Sequence, residues 1–215
     1  LVAKPLEEPL NNVVKRFCDI LVSVVALMAV ALLLPVIVVA IKVQSPGPVF
    51  FRQRRTGLDG REFYCYKFRS MYVNTEADSR QATRNDPRKF PFGDFMRRTG
   101  IDELPQFWNV LRGDMSVVGP RPERLEHYEK YSQEIPEFNF RLKVKGGLTG
   151  YAQVYGKYNT TALDKLKMDL IYIVDYSFLL DVQIMLETVK IIFKKESTEG
   201  FSEEQIRKLK NKDDI

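Results

Sequence analysis

The chain has 215 residues, 45% of them hydrophobic and 28% charged, enough for one sizeable domain with a core and ordinary for a globular protein. A net charge of +5 and a pI near 9.1 admit nucleic acid, an anionic membrane or a phosphorylated substrate as partner, but no zinc-finger spacing, recognition-helix pattern or aromatic RNA platform supports the first. His127 is the single histidine, which excludes histidine-based triads and multi-histidine metal sites and leaves acid–base or nucleophilic work to carboxylates.

Leu1 to Asn12 holds no initiating methionine and reads as a lead-in, pointing to a longer or processed protein. Ile20 to Ile41 contains no charged residue; as a straight helix its roughly 22 positions would measure about 33 Å, so length alone predicts a membrane span. Pro35 leaves only roughly 15 residues before it, about 22 Å, short of a hydrocarbon core of about 30 Å. Basic residues also flank both ends, Lys15 and Arg16 before and Lys42, Arg52, Arg54 and Arg55 after, and one span cannot keep both flanks on the cytoplasmic side. From the residues alone, a spanning helix and a re-entrant one that bends at Pro35 stand level. Ala29, Ala31 and Ala40 lie inside the apolar run, so residues 13–44 read as an uncleaved anchor. Asp19 is expected to pair with Lys15 or Arg16 at helical spacing, or to sit as a helix-end acid on the wet side. Cys18 and Cys65 read as reduced thiols without a role.

Ser45-Pro46-Gly47-Pro48 ends this helix. Val49 to Gln53 and Glu62 to Arg69 are strand-like and aromatic, and the turn Gly57-Leu58-Asp59-Gly60 joins them as a hairpin. Alternation sets Tyr64, Tyr66 and Phe68 on one face and Cys65, Lys67 and Arg69 on the other. The two cations then face a phosphate or lipid headgroup, or simply solvent. Val73 to Phe92 is polar and reads as a short helix and a loop near the mouth of a site.

Polar specialisation is densest from Arg97 to Pro122. Proline is tolerated in the first helical turn, so a helix over Leu104–Leu111 would begin near Asp102, with Leu104, Phe107, Trp108 and Leu111 as its buried stripe. Asp102 and Glu103 would then sit at the positive end of the dipole, where a carboxylate stays ionised. An N-cap explains an isolated Asp equally well. Here, however, Arg97 and Arg98 lie upstream, and Arg121 is held in the rigid corner Gly119-Pro120-Arg121-Pro122. Pre-organised arginines suit phosphate oxygens, and an acid beside them suggests phosphoryl chemistry. Further on, Glu123–Gln133 reads as a polar helix with Leu125 and Tyr128 inward. Lys145-Gly146-Gly147-Leu148-Thr149-Gly150, leading to Gln153, offers backbone N–H groups that can approach an anion. Thr161–Asp175 and Leu179–Lys195 read as amphipathic helices, packed on the core or lying in the headgroup layer with Lys190, Lys194 and Lys195 at anionic lipid. Residues 196–215 form a charged tail.

The run Arg98-Thr99-Gly100-Ile101-Asp102-Glu103-Leu104-Pro105-Gln106-Phe107-Trp108-Asn109, with Arg112-Gly113-Asp114-Met115-Ser116 and Gly119-Pro120-Arg121-Pro122, resembles the signature of the bacterial sugar transferases, the monotopic phosphoglycosyl transferases. The likeness extends from Lys15-Arg16 to about Lys195; it departs from the family pattern at Gly146, Tyr151, Tyr155 and Lys157. The resemblance implies an α+β fold: a re-entrant membrane helix over 13–44 broken at Pro35, then a mostly helical catalytic domain over 45–195 with a small hairpin and interfacial helices, on the cytoplasmic face of the bacterial inner membrane. It implies a uridine diphosphate sugar (UDP-sugar) as donor, polyprenyl phosphate as acceptor, inner-membrane lipids as surroundings and Mg²⁺ as cofactor. A homodimer stands among the expected assemblies. Asp102 is the expected nucleophile and metal ligand. Glu103 is its catalytic partner, handling a proton or holding the metal. Arg97, Arg121, Lys67, Arg69, Lys145, Gly147, Thr149 and Gln153 are candidate substrate-binding residues. The rivals are a nucleotide-sugar-binding regulatory module, which would not need the acid pair, and a glycosyltransferase with a D-x-D metal site, a motif the chain lacks.

Overall fold

The computed structural model describes residues 9–73, 86–156 and 160–193. Its first element, α1 (Pro9–Gln44), is one helix of 36 residues, about 54 Å long at 1.5 Å per residue. It begins at Pro9, inside the stretch read as lead-in, and it continues through Pro35, where a break was expected. Proline there removes one N–H bond and crowds the Ala31 carbonyl, but its fixed φ is already helical and the turns on either side keep the coil going past it.

The buried positions of α1 are Asp19, Ser23, Val30, Ile37 and Ile41, spaced by four or seven residues, which is one stripe along one side. That stripe lies against the rest of the chain over the helix's length. Val22 packs on the core formed by Cys65, Val110, Met115, Val117, Tyr172 and Ile184. Val30, Ile37 and Ile41 pack with Phe68, Phe90 and Met96 in a second core. On the remaining sides Leu21, Val25, Met28, Leu32, Val36, Val39 and Val43 are each more than half exposed. Asp19 does not pair with Lys15 or Arg16. Its Oδ1 accepts from Ser116 Oγ at 3.0 Å and from the Val117 N–H at 2.8 Å. Lys15 instead reaches Asp181 at 2.6 Å, and Arg16 donates to the Val110 and Leu111 carbonyls at 2.6 and 2.7 Å. A buried acid takes whichever donors need no water, and here those come from the adjoining strand.

The hairpin forms as read: β1 (Phe50–Thr56) pairs antiparallel with β2 (Glu62–Phe68), from Phe50↔Phe68 to Thr56↔Glu62. After it come α2 (Pro91–Thr99), a 3₁₀ turn over Ile101–Glu103, α3 (Gln106–Arg112) and β3 (Ser116–Val118). Then follow α4 (Leu125–Glu134), a 3₁₀ stretch over Pro136–Lys143, β4 (Gly147–Thr149), α5 (Tyr151–Tyr155), α6 (Ala162–Val174) and α7 (Phe178–Phe193). β3 and β4 form a short parallel pair, Ser116↔Gly147 and Val118↔Thr149. The class is thus α+β. Most of the expected 73–92 loop and the charged tail lie outside the described residues.

The buried stripe of α3 differs from expectation. In α3 the buried residues are Gln106, Asn109 and Val110, while Trp108 is 49% exposed. Asn109 goes inward because it completes the edge of β2: its Oδ1 accepts from the Tyr66 N–H at 3.0 Å and its Nδ2 donates to the Tyr64 carbonyl at 2.7 Å. In α6, capped by Thr161 on the Asp164 N–H, Leu166 and Ile173 are buried but Leu163 is exposed. α7 buries Ile184 and turns Leu179, Leu186, Val189 and Ile192 outward.

Candidate active site

Gly100 sets the geometry of the acid pair. It caps α2 with φ 72°, the left-handed region that favours glycine, and so turns the chain out of the helix. Ile101–Glu103 then makes one tight 3₁₀ turn before Pro105 opens α3. Asp102 is therefore not the N-cap of α3 and makes no cap bond; it is pressed into the body by the turn, with only 6% of its surface exposed.

The adjacent carboxylates live in opposite environments. Lys67 Nζ, from β2, donates to Glu103 Oε1 at 2.5 Å. Arg121 Nη1 donates to Glu103 Oε2 at 3.1 Å, and its Nη2 reaches Oε1. All of these bonds go to Glu103 and none to Asp102. Burial alone would push Glu103 up, but Arg121 and Lys67 beside it hold its carboxyl well below the usual range. For Asp102 burial dominates, opposed by Lys67, reinforced by the Glu103 charge and opposed again by Arg97 and Arg121, and its carboxyl is pushed up to about 6. The dipole reading gave an acid held low. In the structure Asp102 is ionised at neutral pH by a narrower margin and is the less exposed of the two.

The corner that carries Arg121 is braced from behind. Arg55 Nη1 donates to the Pro122 carbonyl at 2.9 Å, and Arg141 Nη2 donates to the Arg121 carbonyl at 2.9 Å. Arg141 is itself 4% exposed and is held by Asp169 at 2.7 Å and Glu123 at 3.4 Å. Asp169 is buried deeply enough that its carboxyl is pushed up to about 6 despite Arg141. These braces were missed in the sequence, where Arg141 looked like one more cation in a basic run. Its only signal was the apolar company of Phe138 and Phe140.

The structure thus gathers Asp102, Glu103, Lys67, Arg121 and the exposed Arg97. It puts the other candidates elsewhere. Arg69 is 1% exposed and clamps the end of α1: Nε donates to the Pro48 carbonyl at 2.5 Å, and the two Nη groups reach Ser45. The N–H of Gly147 is spent on the Pro120 carbonyl at 2.9 Å; a Cβ at Gly147 would lie 2.1 Å from the Gly119 nitrogen. This glycine therefore serves the close crossing of β4 beneath the corner, not an anion cradle. Thr149 is buried and bonded to Thr188 at 2.6 Å. Both amide atoms of Gln153 are enclosed without a partner beside Gly150. Lys145 faces Arg16 and α1.

As a metal site the cluster is sparse. Among the described residues no three acidic, cysteine or histidine side chains converge, and Glu103 is fully engaged. Asp102 alone offers a hard oxygen, which fits Mg²⁺, an ion commonly bound through one or two carboxylates and substrate phosphates.

An enclosed carboxylate without hydrogen bonds, ringed by lysine and arginine charge on a corner braced from behind, suits a phosphorylated ligand. Residues 10–195 match the bacterial sugar transferase family, and the chain belongs to it. The chain is 45% identical over 185 residues to the UDP-glucose:undecaprenyl-phosphate glucose-1-phosphate transferase of Escherichia coli K12, an alignment covering 83% of this chain and 40% of that protein. It is 42% identical over 191 residues to the UDP-N-acetylgalactosamine-undecaprenyl-phosphate N-acetylgalactosaminephosphotransferase of Aeromonas hydrophila, covering 87% and 45%. It is 41% identical over 191 residues to a UDP-glucose:undecaprenyl-phosphate glucose-1-phosphate transferase of Caulobacter vibrioides, covering 86% and 72%. The chain thus spans about two fifths of the length of several curated relatives it matches.

Proposed function

We propose that this chain transfers a sugar-1-phosphate from a UDP-sugar to polyprenyl phosphate through a covalent adduct on Asp102. The observation that carries the reading is the contrast within the acid pair: Glu103 is fully engaged by Lys67 and Arg121, whereas Asp102 is enclosed, ionised at neutral pH and free of hydrogen bonds. The names of the relatives support the substrate class, and they differ in the sugar.

In the first step an Asp102 carboxylate oxygen attacks the sugar-bearing phosphorus. The bond from that phosphorus to the bridging oxygen breaks, uridine monophosphate leaves, and an aspartyl phosphosugar remains, so that one difficult displacement becomes two. In the second, an oxygen of polyprenyl phosphate attacks the same phosphorus, the bond to Asp102 breaks, and a polyprenyl diphosphate sugar is released. Arg121, fixed by Glu103 and the Arg141 brace, and Arg97 neutralise charge on the phosphoryl oxygens. Glu103 holds Lys67 and Arg121 at their posts. Asp102 is the residue that would hold Mg²⁺, which when bound would supply further charge neutralisation there.

The acceptor's lipid tail explains the exposed apolar sides of α1. That helix is long and apolar enough to cross a membrane, yet one side of it rests on the body from Asp19 to Ile41. A bilayer surrounding the helix would have to swallow the body as well. The reading is that α1 enters with its apolar sides and leaves the body on one face. Product analysis tests the chemistry: incubation with a panel of UDP-sugars and polyprenyl phosphate should release uridine monophosphate. Release of uridine diphosphate would mean direct glycosyl transfer, and binding without release a regulatory module.

A further inference from the structure

A cavity of about 330 Å³ opens between the N-terminal half of α1 and β3, bordered by Lys15, Arg16, Asp19, Ser116, Lys143 and Lys145. That volume falls in the range of small-molecule sites. None of Asp102, Glu103, Lys67, Arg97 or Arg121 lines it, so it is separate from the acid pair. It is also where Lys145 is found, the cation that the Asp102 site did not absorb.

The charges around this cavity do not cancel. Lys15 is neutralised by Asp181 at 2.6 Å. Arg16 is spent on the Val110 and Leu111 carbonyls, and Asp19 Oδ1 is committed to Ser116 and Val117. Lys143 and Lys145 remain, and among the described residues neither has a carboxylate within ion-pair distance. Burial and then Arg16 lower the Lys145 pKa, Lys15 adds to this, and Asp19 and Asp114 only partly offset it. Asp114 is itself engaged by Asn109 at 3.2 Å and Arg112 at 3.4 Å. Lys145 is thus a half-buried ammonium short of counter-charge, beside a space large enough to hold one. On the outer side of α1, round the helix from the cavity-lining Asn12, Lys15 and Asp19, Leu10, Val13 and Phe17 are each about two thirds exposed or more. A ligand complementary to both features carries a negative head and an apolar tail.

We propose that this cavity is a second anion site, which takes the phosphate of an anionic membrane phospholipid on Lys143 and Lys145 while its acyl chains lie along Leu10, Val13 and Phe17. Each lysine near a lipid phosphate contributes roughly a fivefold factor in affinity. The test titrates the full chain in detergent with short-chain phosphatidylglycerol, with inorganic phosphate and with short-chain phosphatidylcholine, followed by calorimetry.

Phosphatidylglycerol should bind more tightly than either of the others, and Lys143→Gln with Lys145→Gln should weaken it about 10- to 30-fold. The Arg pair at the same positions should restore it. Lys130→Gln with Lys167→Gln removes the same charge from exposed lysines paired with Glu134 and Asp164 and should leave binding unchanged. Asp102→Asn should bind the lipid as the parent does, which separates this site from the fate of the catalytic reading. Unchanged binding in the Lys143/Lys145 variant, or an equal loss in the Lys130/Lys167 variant, overturns the site. Inorganic phosphate binding as tightly as the lipid overturns the lipid assignment.

Discussion

Asp102 trades stability for reactivity. Its folded pKa of about 6 stands above the ordinary 3.8, so the fold binds this proton more tightly than the unfolded chain does. Ionised burial therefore costs stability above pH 6, and that cost fades as pH falls through 6 toward 3.8. A shift of about two units corresponds to about 3 kcal/mol at 1.4 kcal/mol per unit, so Asp102→Asn should raise the melting temperature while abolishing turnover. Thermal unfolding at pH 7.5 checks this, and an unchanged or lower Tm would count against the buried-charge account. Turnover should fall on the acid side with an apparent pKa near 6, as the nucleophile takes up its proton. Glu103 behaves oppositely. Its depressed pKa adds stability that is present above 4.5 and lost as pH falls through the folded value. Glu103→Gln should destabilise by about 1–3 kcal/mol, since it leaves Lys67 and Arg121 without their counter-charge. Equilibrium unfolding in urea reads that difference.

Between elements, the site depends on one close crossing and one buried amide. β4 passes under the Arg121 corner only because Gly147 has no Cβ; one added there would meet the Gly119 nitrogen at 2.1 Å. Gly147→Ala should therefore move the corner, lower kcat more than it raises KM for the nucleotide sugar, and reduce stability by several kcal/mol, at least about 2. Steady-state kinetics with a melting curve measure both. Some elements were legible beforehand because their signals are local: the Gly57–Gly60 turn and the strand pattern of β2. The acid pair stood out because two carboxylates adjoin there just after Arg97 and Arg98, but its bonding partners Lys67 and Arg121 lie 36 and 18 residues away. The 3₁₀ turn at Ile101–Glu103 was not legible. Its cause, Gly100 in the left-handed region, resembles an ordinary turn glycine in the chain, and proline in a first helical turn pointed to a longer α3. The inward turn of Asn109 was hidden too, because its partners are backbone groups of β2 about 45 residues away. Arg69 and Lys67 alternate on one strand face, yet they serve unrelated partners, Ser45 and Glu103.

For the molecule as a whole, the apolar run declared itself by length, while its relation to the body required the fold. Its buried stripe from Asp19 to Ile41, with apolar residues on the remaining sides, describes a helix laid along a body. Cysteines introduced at Asn12 and Gln44, after replacement of Cys18 and Cys65, should both react with an impermeant maleimide from the same side of sealed vesicles. Labelling from opposite sides would mean that α1 spans.

The central claim, that Asp102 itself carries the phosphosugar, is tested most directly by intact-protein mass spectrometry after incubation with a UDP-sugar and Mg²⁺ but no lipid acceptor. The protein should gain the mass of one sugar phosphate, lose it when polyprenyl phosphate is added, and gain nothing as Asp102→Asn. Transfer to lipid without such a gain, or a gain that survives the Asp102→Asn substitution, would contradict the account.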